Sequence, residues 1–438
     1  MSQRPPLCIG LSLAITWLTG NGWRRPDSCV EAIHASSFYT AIARRAEAAC
    51  LDFLFRPDTL YLDTRVLARS PGFSSLDPTV LLSAIATSTT RIGLVTTAAT
   101  TFNPPYVVAR QLQSLDWISQ GRAGWNVVTA LDGNGNFGDA PMPPSKARYD
   151  KALEFTDVVQ RLWRSYPRDA LVVDRATGRY ADTARVRPID HRGPYFSVQG
   201  PLNLPAHGAG RIPLFQAGAS AWGRDFAARV ADAVFAAAPD LDACAELRQD
   251  LRSRAAAHGR RPDDIRVLPG LSLYLGRTAS EARDLYEATH ADTDQACRLD
   301  YLARMLGIDV RQFAPDQPLT RAMLGEPVTT LRSQTHADLL RRLVEREQPT
   351  VQELLRRPET GGSAHWRVVG TADDALREIL AWADAGAADG FIALPGGSAG
   401  SLDLFLDELM PRLVARGRFR REYAGATLAA HLGIPPEN

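Results

Sequence analysis

The feature that most constrains the fold is an alternation of short apolar runs with longer amphipathic stretches along most of the 438 residues. Runs such as "LDFLFR", "RIGLVTTAAT" and "AGWNVVTA" have the length of buried strands, and the stretches after them carry apolar residues at helical spacing. About eight such units in succession predict parallel strands joined by right-handed crossovers. We therefore expect an α/β fold, a closed (β/α)8 TIM barrel, with an open doubly wound sheet as the alternative.

One helix start is predicted residue by residue. In "DPTVLLSAIATS", Asp77 is of a type that caps helices, and Pro78 suits the first helical turn. The apolar side chains of Val80, Leu81 and Ile85 in the same stretch are expected to be buried.

Two regions break the alternation and are predicted to be insertions on a single domain that spans residues 1–438. Residues 171–208 are polar, rich in Gly and Pro, and hairpin-like. Residues 293–366 are charged and are predicted to be helical. Neither insertion is expected to form a core of its own.

The composition is that of an ordinary globular protein, with 45% apolar and 23% charged residues. A formal net charge of +1 gives no electrostatic signal for nucleic acid or an anionic membrane. The five cysteines are scattered and form no C-x-x-C pair, so no disulfide framework and no metal site is predicted. These features favour a reducing, cytoplasmic location.

The apolar run "LCIGLSLAITWL", Leu7 to Leu18, has two interpretations. It could be the apolar core of a signal peptide or the first buried strand of the fold. The run is too short to span a membrane, and no A-x-A-type cleavage site follows it. The strand is therefore favoured.

Polar residues lie within or directly after several predicted strands, where a parallel barrel presents side chains to a ligand at its C-terminal mouth. In "TTAATTF", period two places Thr97, Ala99 and Thr101 on one face. Asn126 interrupts the apolar strand "WNVVTA", and Asp58 follows "LDFLFR". Simpler explanations exist, because threonine favours strands, aspartate favours turns, and a buried carboxamide can bond neighbouring backbone.

A second candidate site follows the predicted strand "IPLFQAGA". Gly218 and Ser220 lie in a turn of small residues directly before the helix "WGRDFAARV". Free backbone N–H groups at such a helix start can bind an anion, although Ser220 could also cap the helix with no ligand. Tyr149, in "KARYDKALEF", could be an aromatic packed in the first turn of another helix.

Together these motifs resemble a known family. The segments that carry the resemblance are "SLDWISQGRAGWNVVTA", "NFGDAPMPPSKARYDKALEFTDVVQRLW", "HRGPYFSVQGPLNLP", "PLFQAGASAWGRDFAARVADAVFA", "LRRPETGGSAHWRVVG" and "GTADDALREILAWADAGAADGFIALP". From about Ile9 to Leu432 the chain resembles the flavin-dependent monooxygenases of the nitrilotriacetate, pristinamycin and dibenzothiophene-sulfone type, in the bacterial-luciferase-like superfamily.

The resemblance implies a (β/α)8 barrel with insertions that binds FMN at its C-terminal mouth. Tyr149, Ser220 and the backbone around Gly218 would grip the phosphate. The cofactor-binding residues that it implies are Asp58, Thr97, Thr101, Asn126, Tyr149, Gly218 and Ser220. Family members often carry a histidine four residues before the tyrosine, where this chain has Ser145, which can donate a hydrogen bond but holds no positive charge.

The resemblance also implies a two-component monooxygenase. A separate NAD(P)H:flavin reductase would supply reduced FMN, and O2 would form a flavin peroxide or hydroperoxide that transfers one oxygen atom to a small organic substrate. The two insertions are candidate lids, and the protein is expected to be a homo-oligomer, either a dimer or a tetramer. Candidate substrate-wall residues are Trp17, Trp23, His34 and Phe38.

Two other functions are compatible with the same motifs. A luciferase-like oxidoreductase could use a deazaflavin and transfer hydride without oxygen chemistry. A flavin-binding accessory protein could lack activity altogether, a reading that Ser145 in place of the histidine keeps open.

Overall fold

A computed structural model describes residues 6–138, 141–218, 220–291, 295–325, 334–357 and 364–435. The strands are β1 Cys8–Ser12, β2 Phe53–Arg56, β3 Gly93–Ala99, β4 Ala123–Val128, β5 Leu171–Asp174, β6 Arg179–Ala181, β7 His191–Arg192, β8 Ser197–Val198, β9 Leu214–Gln216, β10 Ala233–Ala236, β11 Arg266–Leu275, β12 Trp366–Gly370 and β13 Gly390–Pro395. The α-helices are α1 Ser36–Ala48, α2 Thr64–Leu67, α3 Pro78–Ala86, α4 Pro105–Ser119, α5 Ser145–Arg164, α6 Ala221–Val230, α7 Leu241–Ala257, α8 Ala279–His290, α9 Gln295–Leu306, α10 Gln334–Glu347, α11 Val351–Arg356, α12 Ala372–Asp384, α13 Ala399–Leu404, α14 Met410–Ala415 and α15 Leu428–His431.

The main sheet closes into a barrel, as the alternating pattern predicts. Eight strands pair in parallel in the order β1, β2, β3, β4, β9, β10, β11 and β13, and β13 returns to β1. Strand β12 is a ninth member that pairs with the second half of β11, whereas β10 pairs with the first half. The C-terminal ends of all these parallel strands therefore meet at one mouth.

The two faces of the barrel strands bury different side chains. Outward positions such as Leu271 belong to the main core beneath the surrounding helices. Inward positions form a separate cluster that fills the lumen, with Phe53, Phe55 and Phe215 among its largest members. Gly10 must be a glycine because a Cβ there would overlap the Phe53 ring. The lumen is thus packed rather than hollow near its N-terminal end.

The last part of the chain seals that end of the barrel. Leu428 and Leu432 insert into the lumen cluster. Arg420 forms an ion pair with the buried carboxylate of Asp52, which also accepts the backbone amide of Ile9 at 2.7 Å. The mouth at the opposite end is therefore the open end.

The first insertion, residues 171–208, contains two short antiparallel strand pairs, β5 with β6 and β7 with β8, as the hairpin-like pattern predicts. Its anchor is helix α5. His191 Nε2 lies 2.9 Å from Oε1 of Glu154, and His191 Nδ1 lies 3.0 Å from a guanidinium nitrogen of Arg161.

The second insertion has a hydrophobic cluster of its own, formed by α9, α10 and α11 around residues such as Leu302 and Leu340. The expectation that this insertion lacks a core is therefore wrong. Arg342 on α10 forms an ion pair at 3.5 Å with Glu246 on α7, and a cavity of about 300 Å³ lies between these two helices. Whether residues 1–438 behave as one domain stays a prediction.

The helix start predicted at Asp77 is confirmed. Helix α3 begins at Pro78, and Asp77 Oδ1 accepts the amide of Val80 at 2.9 Å. Leu81 and Ile85 are buried, but Val80 is 71% exposed, so the prediction for Val80 is wrong. Val80 precedes Leu81 by one residue, which turns its side chain about 100° around the helix and away from the core.

The first part of the apolar run near the N-terminus forms β1, which pairs with β2 on one side and β13 on the other. All five of its residues are buried, as predicted for a first core strand. No helix among the described residues combines the length and the apolar character that a membrane crossing requires.

Candidate active site

Two polar side chains meet on the lumen face of β3 and β4. Thr97 and Asn126 are register partners, and Asn126 Nδ2 donates to Thr97 Oγ1 at 2.9 Å. Thr97 Oγ1 in turn donates to the carbonyl of Arg56 at 2.7 Å. Both side chains face the lumen because Val95 and Gly124, two residues earlier on the same strands, contact the lumen cluster.

The amide oxygen of Asn126 has no hydrogen-bond partner in the described part of the chain, although the residue is only 2% exposed. Across the described ranges, the one other buried side-chain oxygen in this condition is Oε1 of Gln216, the last residue of β9. Leaving such an acceptor buried and unpaired costs about 1–3 kcal/mol. Asn126 presents its acceptor to the lumen, whereas Gln216 pairs in register with Val234 of the outer core and therefore faces the helix layer beside Tyr149.

A second polar cluster lies where β9 ends. The hydroxyl of Tyr149, on α5, interacts with the side chains of Ser220, Thr129 and Gln216. Burial raises the pKa of Tyr149 above its ordinary value, and these three hydrogen bonds only partly oppose the effect. The phenol is therefore a protonated donor over the whole physiological pH range.

The turn after β9 leaves space for this tyrosine. A Cβ at Gly218 would overlap the Tyr149 hydroxyl and would lie 2.5 Å from Nε2 of Gln216. Ser220 is the N-cap of α6, and its Oγ accepts the amide of Gly223 at 3.2 Å. The first turn of α6 thus points backbone N–H groups toward the corner that holds the Tyr149 hydroxyl, which is an arrangement suited to an anion.

Two other predicted residues lie farther from these clusters. Asp58 follows β2 and is partly buried; burial raises the pKa of its carboxyl, nearby Asp77 adds to the rise, and Arg56 opposes it. Thr101 Oγ1 accepts the amide of Ala130 at 2.9 Å, which joins two loops at the rim. The expectation that the period of β3 continues to Thr101 is wrong, because the strand ends two residues earlier, and a contact of Thr101 with the cofactor stays a prediction.

The four candidate substrate-wall residues lie in or near the connection between β1 and α1. Trp17 is buried and donates its indole N–H to a backbone carbonyl at 3.2 Å, and its ring lies 6.2 Å from that of Phe38. Trp23 is partly buried, and His34 is exposed with Nε2 3.4 Å from a serine hydroxyl. Their part in substrate binding stays a prediction.

The sequence-based residue set omits Gln216, which bonds the Tyr149 hydroxyl and carries the second unpartnered oxygen. The signal was present, because Gln216, like Asn126, is a carboxamide in an otherwise apolar strand. Ser145, the departure from the family pattern, is the first residue of α5, about one turn before Tyr149.

This geometry can be compared with known proteins. The family described as luciferase-like monooxygenase matches residues 27–389. The chain belongs to this family. It is 34% identical over 436 residues to N-acetyl-S-(2-succino)cysteine monooxygenase from Bacillus subtilis (strain 168), with 99% of this chain and 98% of that protein covered. It is 36% identical over 453 residues to nitrilotriacetate monooxygenase component A from Aminobacter aminovorans, with 100% and 99% covered.

A solved structure of riboflavin lyase with modified FMN and the substrate riboflavin is also similar. It superposes with a TM-score of 0.82 at 30% sequence identity, and the match covers 98% of this chain and 96% of that one. The predicted family and barrel are thus confirmed. This chain is therefore a luciferase-like monooxygenase, an oxidoreductase of the two-component, flavin-dependent type.

Proposed function

We propose that the protein binds FMN at the mouth of the barrel and, with the flavin reduced, transfers one oxygen atom from O2 to a small organic substrate. The observation that carries this proposal is the buried oxygen of Asn126 on the lumen face, which has no partner among the described residues. A reduced flavin ring carries several N–H groups, and FMN adds a phosphate that the neighbouring corner at Tyr149 and Ser220 suits.

The residues present fit such a ligand in three respects. Below the mouth, the rings of Phe55 and Phe235, 5.2 Å apart, and the imidazole of His365 stacked on Phe235 form a floor on which a planar ring can lie. Asn126 offers a fixed acceptor, because its nitrogen is already held by Thr97. The absent side chain of Gly218 lets the Tyr149 hydroxyl lie against the turn before α6, where it could meet a phosphate bound at the first turn of that helix.

Each part of the chain then has a definite task. Asn126 would orient the ring by accepting a hydrogen bond from it, and Tyr149 would donate a hydrogen bond from its phenol to the phosphate. The packed lumen keeps water away from the inner face of the ring, which matters because water shortens the life of reactive oxygen adducts. Bound reduced FMN would supply the electrons that activate O2 for transfer.

A second protein completes the proposal. The relative named nitrilotriacetate monooxygenase component A supports the existence of another component, which we propose is an NAD(P)H:flavin reductase that supplies reduced FMN. The solved relative bound to modified FMN supports the choice of flavin. A cytoplasmic location and a homo-oligomeric state, dimer or tetramer, remain predictions.

The test is a binding and reoxidation experiment. FMN is titrated with the protein and followed by flavin fluorescence; photoreduced FMN is then mixed anaerobically with the protein and exposed to O2. We expect saturable binding and a return of oxidised-flavin absorbance that is slower than for free flavin. Reoxidation at the free-flavin rate, with no measurable binding, would contradict the proposal and favour a protein without flavin chemistry.

A further inference from the structure

The strands β11 and β12 carry polar side chains on the lumen side of the mouth that have no place in the flavin proposal. The register pairs Leu271 with Trp366 and Ser272 with Arg367. Leu271 and Trp366 both belong to the main core outside the barrel. Because side chains alternate along a strand, Ser272 and Arg367 must point to the opposite, lumen side.

His365, two residues before Arg367, occupies the same face. A Cβ at Gly270 would lie 2.6 Å from its Nδ1, so the glycine makes room for the imidazole. The ring of His365 stacks on that of Phe235, with centroids 5.1 Å apart and an interplanar angle of 18°. Phe235 in turn packs on Phe55 in the lumen. The imidazole therefore lies on the apolar floor of the mouth.

Solvent reaches this face. On β11, Ser272 is partly exposed although both of its chain neighbours are buried. On β12, Arg367 is partly exposed between two buried neighbours, and His365 is also partly exposed. On β12 this alternation means that solvent reaches the lumen side of the strand. On β11 the opening is confined to Ser272, because Tyr274 on the same face is buried against Tyr286 of α8.

Arg367 is the cation of this face. One guanidinium nitrogen donates to the hydroxyl of Tyr286 on α8 at 2.7 Å, and the guanidinium carbon lies 4.7 Å from the centroid of that ring. Within the described ranges Arg367 forms no ion pair with a carboxylate. A guanidinium has five N–H donors in a planar fork, so the contact with Tyr286 orients it and leaves donors for a ligand.

We propose that Arg367, with Ser272 and His365 beside it, binds a carboxylate group of the substrate. This inference rests on the proposed function, since it names the class of substrate that enters the same mouth. In the ring of strands, β10 separates this face from the cluster on β3, β4 and β9, so substrate carboxylate and flavin phosphate have different sites. A planar carboxylate matches the guanidinium fork and can accept two parallel hydrogen bonds.

The probe is succinate, with dimethyl succinate as its uncharged counterpart, and binding to FMN-saturated protein is followed by saturation-transfer NMR. Saturation with FMN fills the phosphate corner, so succinate cannot bind there instead. We expect succinate to bind saturably and Arg367→Gln to weaken it about tenfold or more, as loss of a charge-assisted hydrogen bond predicts. Arg367→Lys should lose part of the affinity, because it keeps the charge without the fork.

The matched control is Arg283→Gln, which removes the same charge from an exposed position on α8 and should leave succinate binding unchanged. Melting temperatures and FMN titrations of each variant show that fold and flavin site are intact. Native affinity for succinate in Arg367→Gln, or equal binding of dimethyl succinate, would overturn the inference. If the protein still binds FMN in that case, the proposed function stands. If the protein binds succinate through Arg367 but does not bind FMN, the inference stands as an anion site and the proposed function fails.

Discussion

The two ends of the barrel treat buried side-chain oxygens in opposite ways. At the N-terminal end, the carboxylate of Asp52 is satisfied by Arg420 and by the amide of Ile9, all from this chain. At the mouth end, Asn126 Oδ1 and Gln216 Oε1 have no partner among the residues that the structure describes. Buried polar groups in folded proteins are nearly always paired, so the difference indicates that the missing partners at the mouth belong to a ligand.

Two arginines show the same contrast. Arg122, near the N-terminal end, makes five hydrogen bonds from its guanidinium to backbone carbonyls and the Thr89 hydroxyl. Arg367, at the mouth, makes one hydrogen bond within the described ranges, to Tyr286. An arginine whose donors are all used holds the fold together, whereas one held by a single aromatic partner is prepared to bind something else.

The largest effect is expected from breaking the N-terminal end. Arg420→Ala would leave the carboxylate of Asp52, which is fully buried, without its cation. We expect the free energy of unfolding to fall by about 3–5 kcal/mol in urea denaturation, with little change in FMN affinity of the folded protein. Arg421→Ala, at the exposed neighbouring position, is the control. A loss below about 1 kcal/mol would mean that the end is not held by this pair.

The second prediction concerns another buried carboxyl at the N-terminal end of the barrel, that of Asp116. Asp116 on α4 is a buried carboxyl that accepts the backbone N–H of Ala123, and burial raises its pKa to about 7. A carboxyl whose pKa is higher in the folded than in the unfolded protein binds a proton on folding, so stability should fall as the pH rises from about 4 to about 7.

Asp116→Asn keeps an acceptor for Ala123 and removes the titration. The melting temperature of the variant should therefore rise relative to the native protein across that pH interval, and the difference should level off above it. Asp284→Asn, at an exposed position on α8, should show no such trend. A constant difference between Asp116→Asn and the native protein at every pH would exclude titration of Asp116.

The sequence predicts the barrel and one side of the mouth well, for a physical reason. Alternating apolar runs determine the number of parallel strands, and a carboxamide such as Asn126 is conspicuous in an apolar strand. The other side could not be predicted in this way. Whether Arg367 or Trp366 faces the lumen depends on the register between β11 and β12, which are separated by an insertion with its own core.

The errors have the same origin. A period of two places Thr101 on the face of Thr97 only if β3 continues to Thr101, and the strand ends before that residue. Val80 was assigned to the core because it is apolar, although the helix turns it to solvent. Local pattern identifies the type of an element, but its ends and its buried face are set by the neighbours against which it packs.

The third prediction concerns the phosphate corner at the mouth. The double variant Tyr149→Phe with Ser220→Ala removes two hydroxyl donors, and each bond to a charged group contributes about 1.5–3 kcal/mol. FMN affinity should fall by more than tenfold, whereas riboflavin, which has no phosphate, should bind as it does to the native protein. Loss of the Ser220 cap should lower stability by about 1 kcal/mol. Equal losses for both flavins would place the phosphate elsewhere.

The smallest effect on stability is expected at Asn126, whose unpartnered oxygen distinguishes the mouth from the sealed end. Asn126→Leu keeps the volume of the side chain and removes the unpartnered oxygen, while Thr97 keeps its bond to the carbonyl of Arg56. Because the native oxygen is unsatisfied without ligand, the free energy of unfolding should change by less than about 1 kcal/mol, and FMN affinity, measured by flavin fluorescence, should fall about tenfold. Gln216→Leu is the matched test of the second oxygen. A large loss of stability with unchanged FMN affinity would mean that these oxygens serve the fold, and the mouth would then be no different from the sealed end.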